Sequence, residues 1–371
     1  MSAPRVDAAT EESQADAAKR RAAGEFVRGI SGVRNWLSVV PGEGNGSGKG
    51  ETQEERDFNK SSPFQPEPGR YHLHIAFNCP WCHRVTLIRS ILGLQQSITM
   101  DVAFPNRTLE DDPVEAGRWE FNPSRIASLT GNPLPECTLE TATGKNLRLA
   151  KEVYELQGFN ETSVPIFYDK KLKRIVSNES AEILRMIATH AEALGALTPM
   201  PSLSPITAEK DGAEKEKEAE ELNALIYTTI SNGAYKAGFS SSQEVYAEAF
   251  HKYFQTLDTL EAILQKDGGR KWLLGGDHPT EVDLRLFPTL YRHDPVYFLR
   301  MKLNGAKILD YPNLWRWLCR FHQLPGVKAD GSNLLHCRQG YFGRSWNNVV
   351  PLGPLKPMPY PEAYDHPELA D

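Results

Sequence analysis

The polar and apolar positions of this chain change period several times. YHLHIAF at 71–77 reads as a strand. In PWCHRVTLIRSILGL at 80–94, Val85, Ile88 and Leu92 fall at i, i+3 and i+7, the spacing of a helix face, and Gly93 suits its C-terminal end. ITMDVAF (98–104) reads as a second strand. Residues 105–162 carry Pro, Gly and Asn punctuation without clear period, longer than a connection should be without structure or function of its own. VPIFYD and RIVS, with DKKLK between them, predict a hairpin, and NESAEILRMIATHA (178–191) an amphipathic helix with Ile183, Leu184 and Ile187 on one face. The order β-α-β, excursion, β-β-α is the layout of a thioredoxin-like domain.

Beyond that point the strand period disappears. PMPSLSPITAEKDGAEKEKEAEE (199–221) is Pro-punctuated and then densely charged, which marks a domain joint. From Glu220 to about Phe321 the period is helical; in 242–265, Val245, Ala249, Phe250, Phe254, Leu257 and Leu260 recur near helical spacing. Thr280 and Asp283 have the spacing of a capping box ahead of Leu284, Leu286 and Phe287. Trp315, Trp317 and Phe321 are expected in the core. The fold class is therefore α/β plus all-α, a thioredoxin-like N-terminal domain followed by an all-helical C-terminal domain. The expected divisions are a mostly disordered or extended arm at 1–60, the thioredoxin-like domain at 61–200 with its 105–162 insertion, the helical domain at 215–330, and an extended, Pro-rich tail at 331–371. Within the arm, 24–38 has enough apolar content to dock onto something, and 41–56 is a Gly/Ser-rich linker.

Length agrees: 371 residues suit two domains better than one. Forty-two Lys and Arg stand against 48 Asp and Glu, a formal charge of −6, which argues against a nucleic-acid partner. No apolar run approaches the roughly 18–20 residues that span a bilayer, and the polar, acidic N-terminus lacks the apolar region of a secretory signal. Five cysteines at 79, 82, 137, 319 and 337 are too few and too odd for a disulfide scaffold, so a cytoplasmic, reducing setting is expected.

Cys79 and Cys82 form C-x-x-C in FNCPWCHR. A four-ligand zinc site would need two further ligands, and the chain has no second C-x-x-C or H-x(3–5)-H. Pro80 suits the first position of a helix, where its missing N–H costs nothing, and this places Cys79 at the N-cap after a strand. Its sulfur then faces free backbone N–H groups and the positive end of the helix dipole, which favour thiolate. Cys79 is the expected nucleophile; Cys82, one turn in and less exposed, either resolves a mixed disulfide or packs. His83 and Arg84 lend positive charge nearby or serve packing. His72 and His74 share a strand face, a spacing compatible with a metal, although a half-buried strand explains it as well. Cys137, Cys319 and Cys337 show no partner pattern.

Val164-Pro165 precedes the third strand, where thioredoxin-like folds use a proline to expose backbone for pairing with a peptide; X-Pro is the common route to a cis bond, and the sequence leaves the isomer open. SNES at 177–180 ends a strand and opens a helix whose N–H groups, with the Ser180 hydroxyl, suit a carboxylate. Glu179 could take an α-ammonium. Thiolate, Val-Pro backbone and Glu-Ser each match one portion of γ-Glu-Cys-Gly, the tripeptide glutathione.

A thioredoxin-like half with these features, followed by a helical half with that capping box, resembles the cytosolic glutathione transferases. GEFVR…RNWLS, GRYHLHIAFNCPWCHR, SVPIFYDKKLKRIVSNES, SNGAYKAGFS, EVDLRLFPTLYRHDPVY and VVPLGP look like the glutathionyl-hydroquinone reductases, the Xi class, from about Gly24 to Pro357. The resemblance implies Cys79 as nucleophile and glutathione held by Trp119, Val164 with Pro165, Glu179 and Ser180. It further implies hydroxyls of Tyr235 and Tyr341 near the aromatic quinol, glutathione as cosubstrate, and a homodimer through the helical domain. Cys82 stands where the family has alanine, and Gly340 and Arg344 alter the family's His-Tyr-x-x-Ser around Tyr341. Two other readings remain open at this stage: a glutaredoxin-like or omega-like thiol transferase or dehydroascorbate reductase, and a non-catalytic binding protein that keeps the fold.

Overall fold

The computed structural model of the chain describes residues 14–38, 62–105, 119–122, 134, 136–198 and 212–342. The 41–56 linker, most of the excursion, the charged joint before Gly212 and the tail beyond Phe342, with Arg344 and VVPLGP, lie outside the described residues. Two compact units form: Ser31–Met200 with Pro325–Val350, and Val6–Ile30 with Pro201–Leu324.

In the first unit β1 (Tyr71–Ile75) runs parallel to β2 (Ile98–Val102) and antiparallel to β3 (Ile166–Asp169), which pairs antiparallel with β4 (Arg174–Ser177), in sheet order β2-β1-β3-β4. α2 (Pro80–Ile91) joins β1 to β2, α3 (Ala150–Glu155) lies late in the excursion, and α4 (Ser180–Thr189) follows β4. This is the expected β-α-β and β-β-α order. The α2 helix ends as the glycine signal said. Gly93 has φ +66°, its N–H reaches Ser90 O and the Leu94 N–H reaches Arg89 O, a Schellman closure.

β1 differs from the half-buried strand expected of its two histidines. Period-2 alternation puts Tyr71, Leu73 and Ile75 on one face and His72 and His74 on the other, yet all five residues are buried. Phe121 and the segment around Glu140 cover the histidine face, so residues of the excursion do for it what solvent would otherwise do.

Two further segments depart from expectation. Of the 24–38 stretch, residues 31–38 dock along the edge of the sheet: Asn35 N–H donates to Val176 O, Asn178 N–H to Val33 O, and Arg34 bridges Ser177. Arg34 also pairs with the buried Glu182, its Nε 2.9 Å from Oε1. Residues 325–342, expected to be domain end and extended tail, belong to the first unit and include α10 (Leu334–Phe342). They lie along α2, where Thr86 Oγ1 donates to Gly331 O, Arg89 pairs with Asp330 at 2.8 Å, and His83 Nε2 lies 2.7 Å from Ser332 Oγ. Apart from Trp81, α2 is buried throughout in consequence, its polar residues included.

The second unit is helical. It holds α5 (Gly212–Leu225), a π-helical turn at Ile226–Ser231, α6 (Asn232–Phe239), α7 (Gln243–Gln265), α8 (Glu281–Arg292) and α9 (Pro312–His322). The Thr280/Asp283 capping box forms, and Asp283 also accepts from Trp317 Nε1 at 2.8 Å. Trp317 and Phe321 are fully buried, with Phe321 stacked on Phe287 at 4.2 Å; Trp315 is only half-buried, a correction to its expected place in the core. The arm contributes α1 (Gln14–Ala22), where disorder was expected. Its stop signal is legible in retrospect: Gly24 takes φ +81°, Gly24 N–H bonds Arg21 O, and Glu25 N–H bonds Arg20 O.

Candidate functional site

Cys79 is the N-cap of α2, with extended φ/ψ of −78° and 121°, Pro80 follows at N1, and no acidic residue occupies the first turn. No side chain caps this terminus, so its first amides and the helix dipole act on the sulfur. The Cys79 thiol points at the Val164 carbonyl, 3.7 Å away, and the Val164–Pro165 peptide bond is cis. Cys79 is 8 % exposed and Cys82 0 %. The nucleophile is thus more enclosed than an N-cap position implies, because α10 lies across the preceding loop: Cys337 Sγ is 3.6 Å from Phe77 O, and a Cβ at Gly340 would come within 2.2 Å of Asn78 Nδ2. The Gly340 departure from the family pattern is therefore a packing requirement of that crossing. Cys82 Sγ accepts the Ala76 N–H at 3.5 Å.

A second helix terminus faces the same region. Glu179, and not Ser180, is the N-cap of α4; its Oε1 accepts the Ala181 N–H at 3.3 Å, and its Oε2 accepts the Ser31 hydroxyl at 2.9 Å. Ser180, the first helical residue, lies 3.4 Å from Arg84 Nη1. Arg84 is 1 % exposed and lies over the Trp81 ring at 4.6 Å, so a buried guanidinium links the cysteine helix to the start of α4. Sequence reasoning named Arg84 only as a nearby charge and missed Ser31 altogether. The signal for Arg84 was a cation one turn after a C-x-x-C; for Ser31 there was none, since its partner lies 148 residues away.

The structure thus brings Cys79, Val164, Glu179 and Ser180 onto one set of adjoining termini. Trp119 is half-buried and held by its backbone, its carbonyl accepting Ala150 N–H at 3.0 Å. Tyr341 is half-buried near the end of α10, in the unit that holds Cys79. Tyr235 belongs to the helical unit, where its ring meets Phe26 and Phe239 at 5.8 and 5.7 Å and the Arg28 guanidinium lies 4.8 Å from its centroid. Cys137, Cys319 and Cys337 are buried and carry no disulfide, and burial raises the Cys137 thiol to about 12. Cys79 and Cys82 likewise carry no disulfide.

Chemically, these termini offer a sulfur at a helix N-terminus, an extended backbone for a peptide, and a carboxylate, hydroxyl and cation for charged ends. Residues 243–320 match the family model for the glutathione S-transferase C-terminal domain. The chain is 36 % identical over 303 residues to the glutathionyl-hydroquinone reductase PcpF of Sphingobium chlorophenolicum, covering 80 % of this chain and 86 % of that one. It is also 36 % identical over 348 residues to the glutathionyl-hydroquinone reductase YqjG of Escherichia coli, covering 91 % and 90 %. Among solved structures, the Xi glutathione transferase of Phanerochaete chrysosporium superposes with TM-score 0.70 at 30 % identity, covering 89 % of this chain and 98 % of that one. Glutathione-bound YqjG superposes with TM-score 0.68 at 34 % identity, covering 89 % and 96 %. With its cysteine-headed helix, its sheet and its helical second half, the chain belongs to the Xi-class glutathione transferases, the family of the glutathionyl-hydroquinone reductases.

Proposed function

We infer that this chain is a glutathionyl-hydroquinone reductase with glutathione as cosubstrate. The observation that carries the reading is Cys79 Sγ at an uncapped helix N-terminus, 3.7 Å from the Val164 carbonyl, in a chain 36 % identical to enzymes of that name. The Cys79 thiolate attacks the glutathionyl sulfur of the substrate. The sulfur–carbon bond breaks, the ring carbon takes a proton and leaves as part of the hydroquinone, and a Cys79–glutathione disulfide remains. A second glutathione thiolate attacks the glutathionyl sulfur, releasing oxidised glutathione and regenerating Cys79. The ring carbon is reduced by two electrons, and the thioether sulfur and one free glutathione thiol become one disulfide.

In this proposal Val164, preceding Pro165, pairs its backbone with the cysteine residue of glutathione, Glu179 receives the α-ammonium, and Ser180 with the α4 terminus receives the adjoining carboxylate. Arg84, buried beside Ser180, adds positive charge there. Trp119 closes over the tripeptide. Tyr235 and Tyr341 donate to the quinol oxygens and assist protonation of the ring; support for Tyr235 is its aromatic surroundings and the cation on its ring. Cys82, wholly buried, supports a one-thiol route in which glutathione itself resolves the disulfide. A homodimer and a cytoplasmic setting belong to the same proposal, the second supported by five cysteines none of which forms a disulfide; sedimentation at varied protein concentration tests the first.

The test compares glutathionyl-menadiol with a plain disulfide such as hydroxyethyl disulfide. The reductase reading expects turnover of both, abolished in Cys79→Ser. Full thioether cleavage by Cys79→Ser would end it, and turnover of the disulfide alone would assign a glutaredoxin-like thiol transferase instead.

A further inference from the structure

The buried histidine face of the sheet has the makings of a site unrelated to Cys79. His72 and His74 alternate on β1, and Asp101 stands opposite His74 on the neighbouring parallel strand. Two histidines one residue apart on a strand, with a third ligand from the adjacent strand, place three donor atoms on one side of a sheet. One donor atom from each of His72, His74 and Asp101 lies within 4.8 Å of the others, and the three side chains are at most 3 % exposed. Tetrahedral bonds of about 2.0 Å put ligand atoms about 3.3 Å apart, so the donor atoms draw in by up to about 1.5 Å when they close on a zinc-sized ion.

The hydrogen bonding of the rings agrees. His72 Nδ1 is 2.7 Å from Thr99 Oγ1, while its Nε2 stands at ion-pair distance, 3.0 Å, from Asp101 Oδ2. His74 Nε2 is 3.2 Å from Glu140 Oε1, while its Nδ1 has no hydrogen-bond partner among the described residues. Each imidazole thus has one nitrogen on an oxygen outside the trio; of the other two, His72 Nε2 is paired with Asp101 and His74 Nδ1 has no partner among the described residues. That is the pattern of a metal-ligating histidine, oriented by an outer partner through its second nitrogen. A buried ring nitrogen with nothing to bond otherwise costs about 1–3 kcal/mol. Asp101 is in turn steadied by Thr141, whose backbone N–H and hydroxyl approach it at 2.6 and 2.9 Å, and Glu140 by Thr143 N–H at 2.8 Å. Thr138 pairs with Val102 of the edge strand β2 through N–H to O at 3.0 Å. The segment 136–143, coming out of the excursion, therefore reaches over the edge of the sheet and closes this cluster.

We propose that His72, His74 and Asp101 bind one zinc-class divalent ion, with Glu140 as the outer partner of His74, and that the ion pins the 136–143 segment to the sheet. Two imidazoles and a carboxylate are the donor set of zinc rather than of calcium or magnesium. Burial denies substrate access to the ion, and a water takes the fourth tetrahedral position that the three side chains leave.

The experiment uses the full chain, stripped with a chelator and then titrated with Zn²⁺ alone, with bound metal and melting temperature read together. Co²⁺ in its place reports the ligand type by its visible spectrum. The proposal expects one ion per chain and a melting temperature raised by about 5 °C at a hundredfold excess over Kd. Uptake should be lost in Asp101→Asn and kept in a Cys79→Ser, Cys82→Ser double variant, which separates this site from the thiol chemistry. No stoichiometric uptake by the folded chain, or uptake kept in Asp101→Asn, overturns it. Should Asp101→Asn fail to fold, the Co²⁺ spectrum of the wild type decides: a thiolate charge-transfer band refutes the site, and nitrogen and oxygen ligation without one upholds it.

Discussion

A Cβ at Gly340 would meet Asn78 Nδ2 at 2.2 Å and Asn78 Cβ at 2.5 Å, closer than atoms pack, one residue before the nucleophile. Gly340→Ala must displace α10 or the Asn78 loop, and the expected cost is about 1–3 kcal/mol, read as a lower melting temperature; an unchanged one would show that the helix does not lie there. Cys82 has the opposite character, a small buried side chain that the proposed one-thiol route does not use. Cys82→Ala is expected to lose about 1 kcal/mol of stability while hydroquinone formation stays within about twofold, less than 0.5 kcal/mol in the barrier. A collapse of turnover at the second-glutathione step would instead make Cys82 the resolving thiol. At this scale the sequence was readable where a residue's role is local. Cys79 announces itself by the proline after it, and Glu179 by the strand end before it. Ser31, which bonds Glu179, and Gly340, which fits Asn78, act across 148 and 262 positions and leave no local mark.

Elements with a strong period were legible for the same reason. β1 and α2 lie where the pattern put them, α2 down to the Gly93 closure, and the capping box starts α8. α10 escaped because its buried residues, Leu334, His336, Cys337, Gln339 and Phe342, mix polar with apolar and draw no stripe. What holds its approach is polar contact: Arg89 Nη1 and the Ser90 hydroxyl converge on Asp330 Oδ2 at 2.8 and 3.0 Å. Asp330→Ala leaves the Arg89 guanidinium, only 7 % exposed, without its carboxylate. Because Asp330 is itself a third exposed, the expected loss is about 2 kcal/mol, less than the roughly 3–5 kcal/mol of a fully buried pair, measured by urea unfolding. A loss under about 0.5 kcal/mol, the size of a surface pair, would mean the 326–342 segment is held by other contacts.

For the whole molecule, the change of hydrophobic period and the chain length pointed to the class and the two-unit plan, and the order of blocks to the family. They could not show that residues 325–342 return to the first unit, since chain order says nothing of which surface a late segment covers. Global stability carries a pH signature from one buried imidazole. Burial lowers His190 from 6.5 to about 4. The unfolded chain therefore binds its proton first, and the stability is complete above pH 6.5 and drains away as pH falls toward 4, by about 2 kcal/mol at pH 5. His190→Gln is expected to flatten the acid side of the stability curve, and an unaltered curve would assign that loss to other groups. The central claim concerns one sulfur, and intact-protein mass spectrometry after a single turnover reads it most directly. Mixing the enzyme with stoichiometric glutathionyl-menadiol and no free glutathione should release menadiol and leave one glutathione on Cys79, removable by added thiol. Menadiol released with Cys79 unmodified, or glutathione found on another residue, would contradict it.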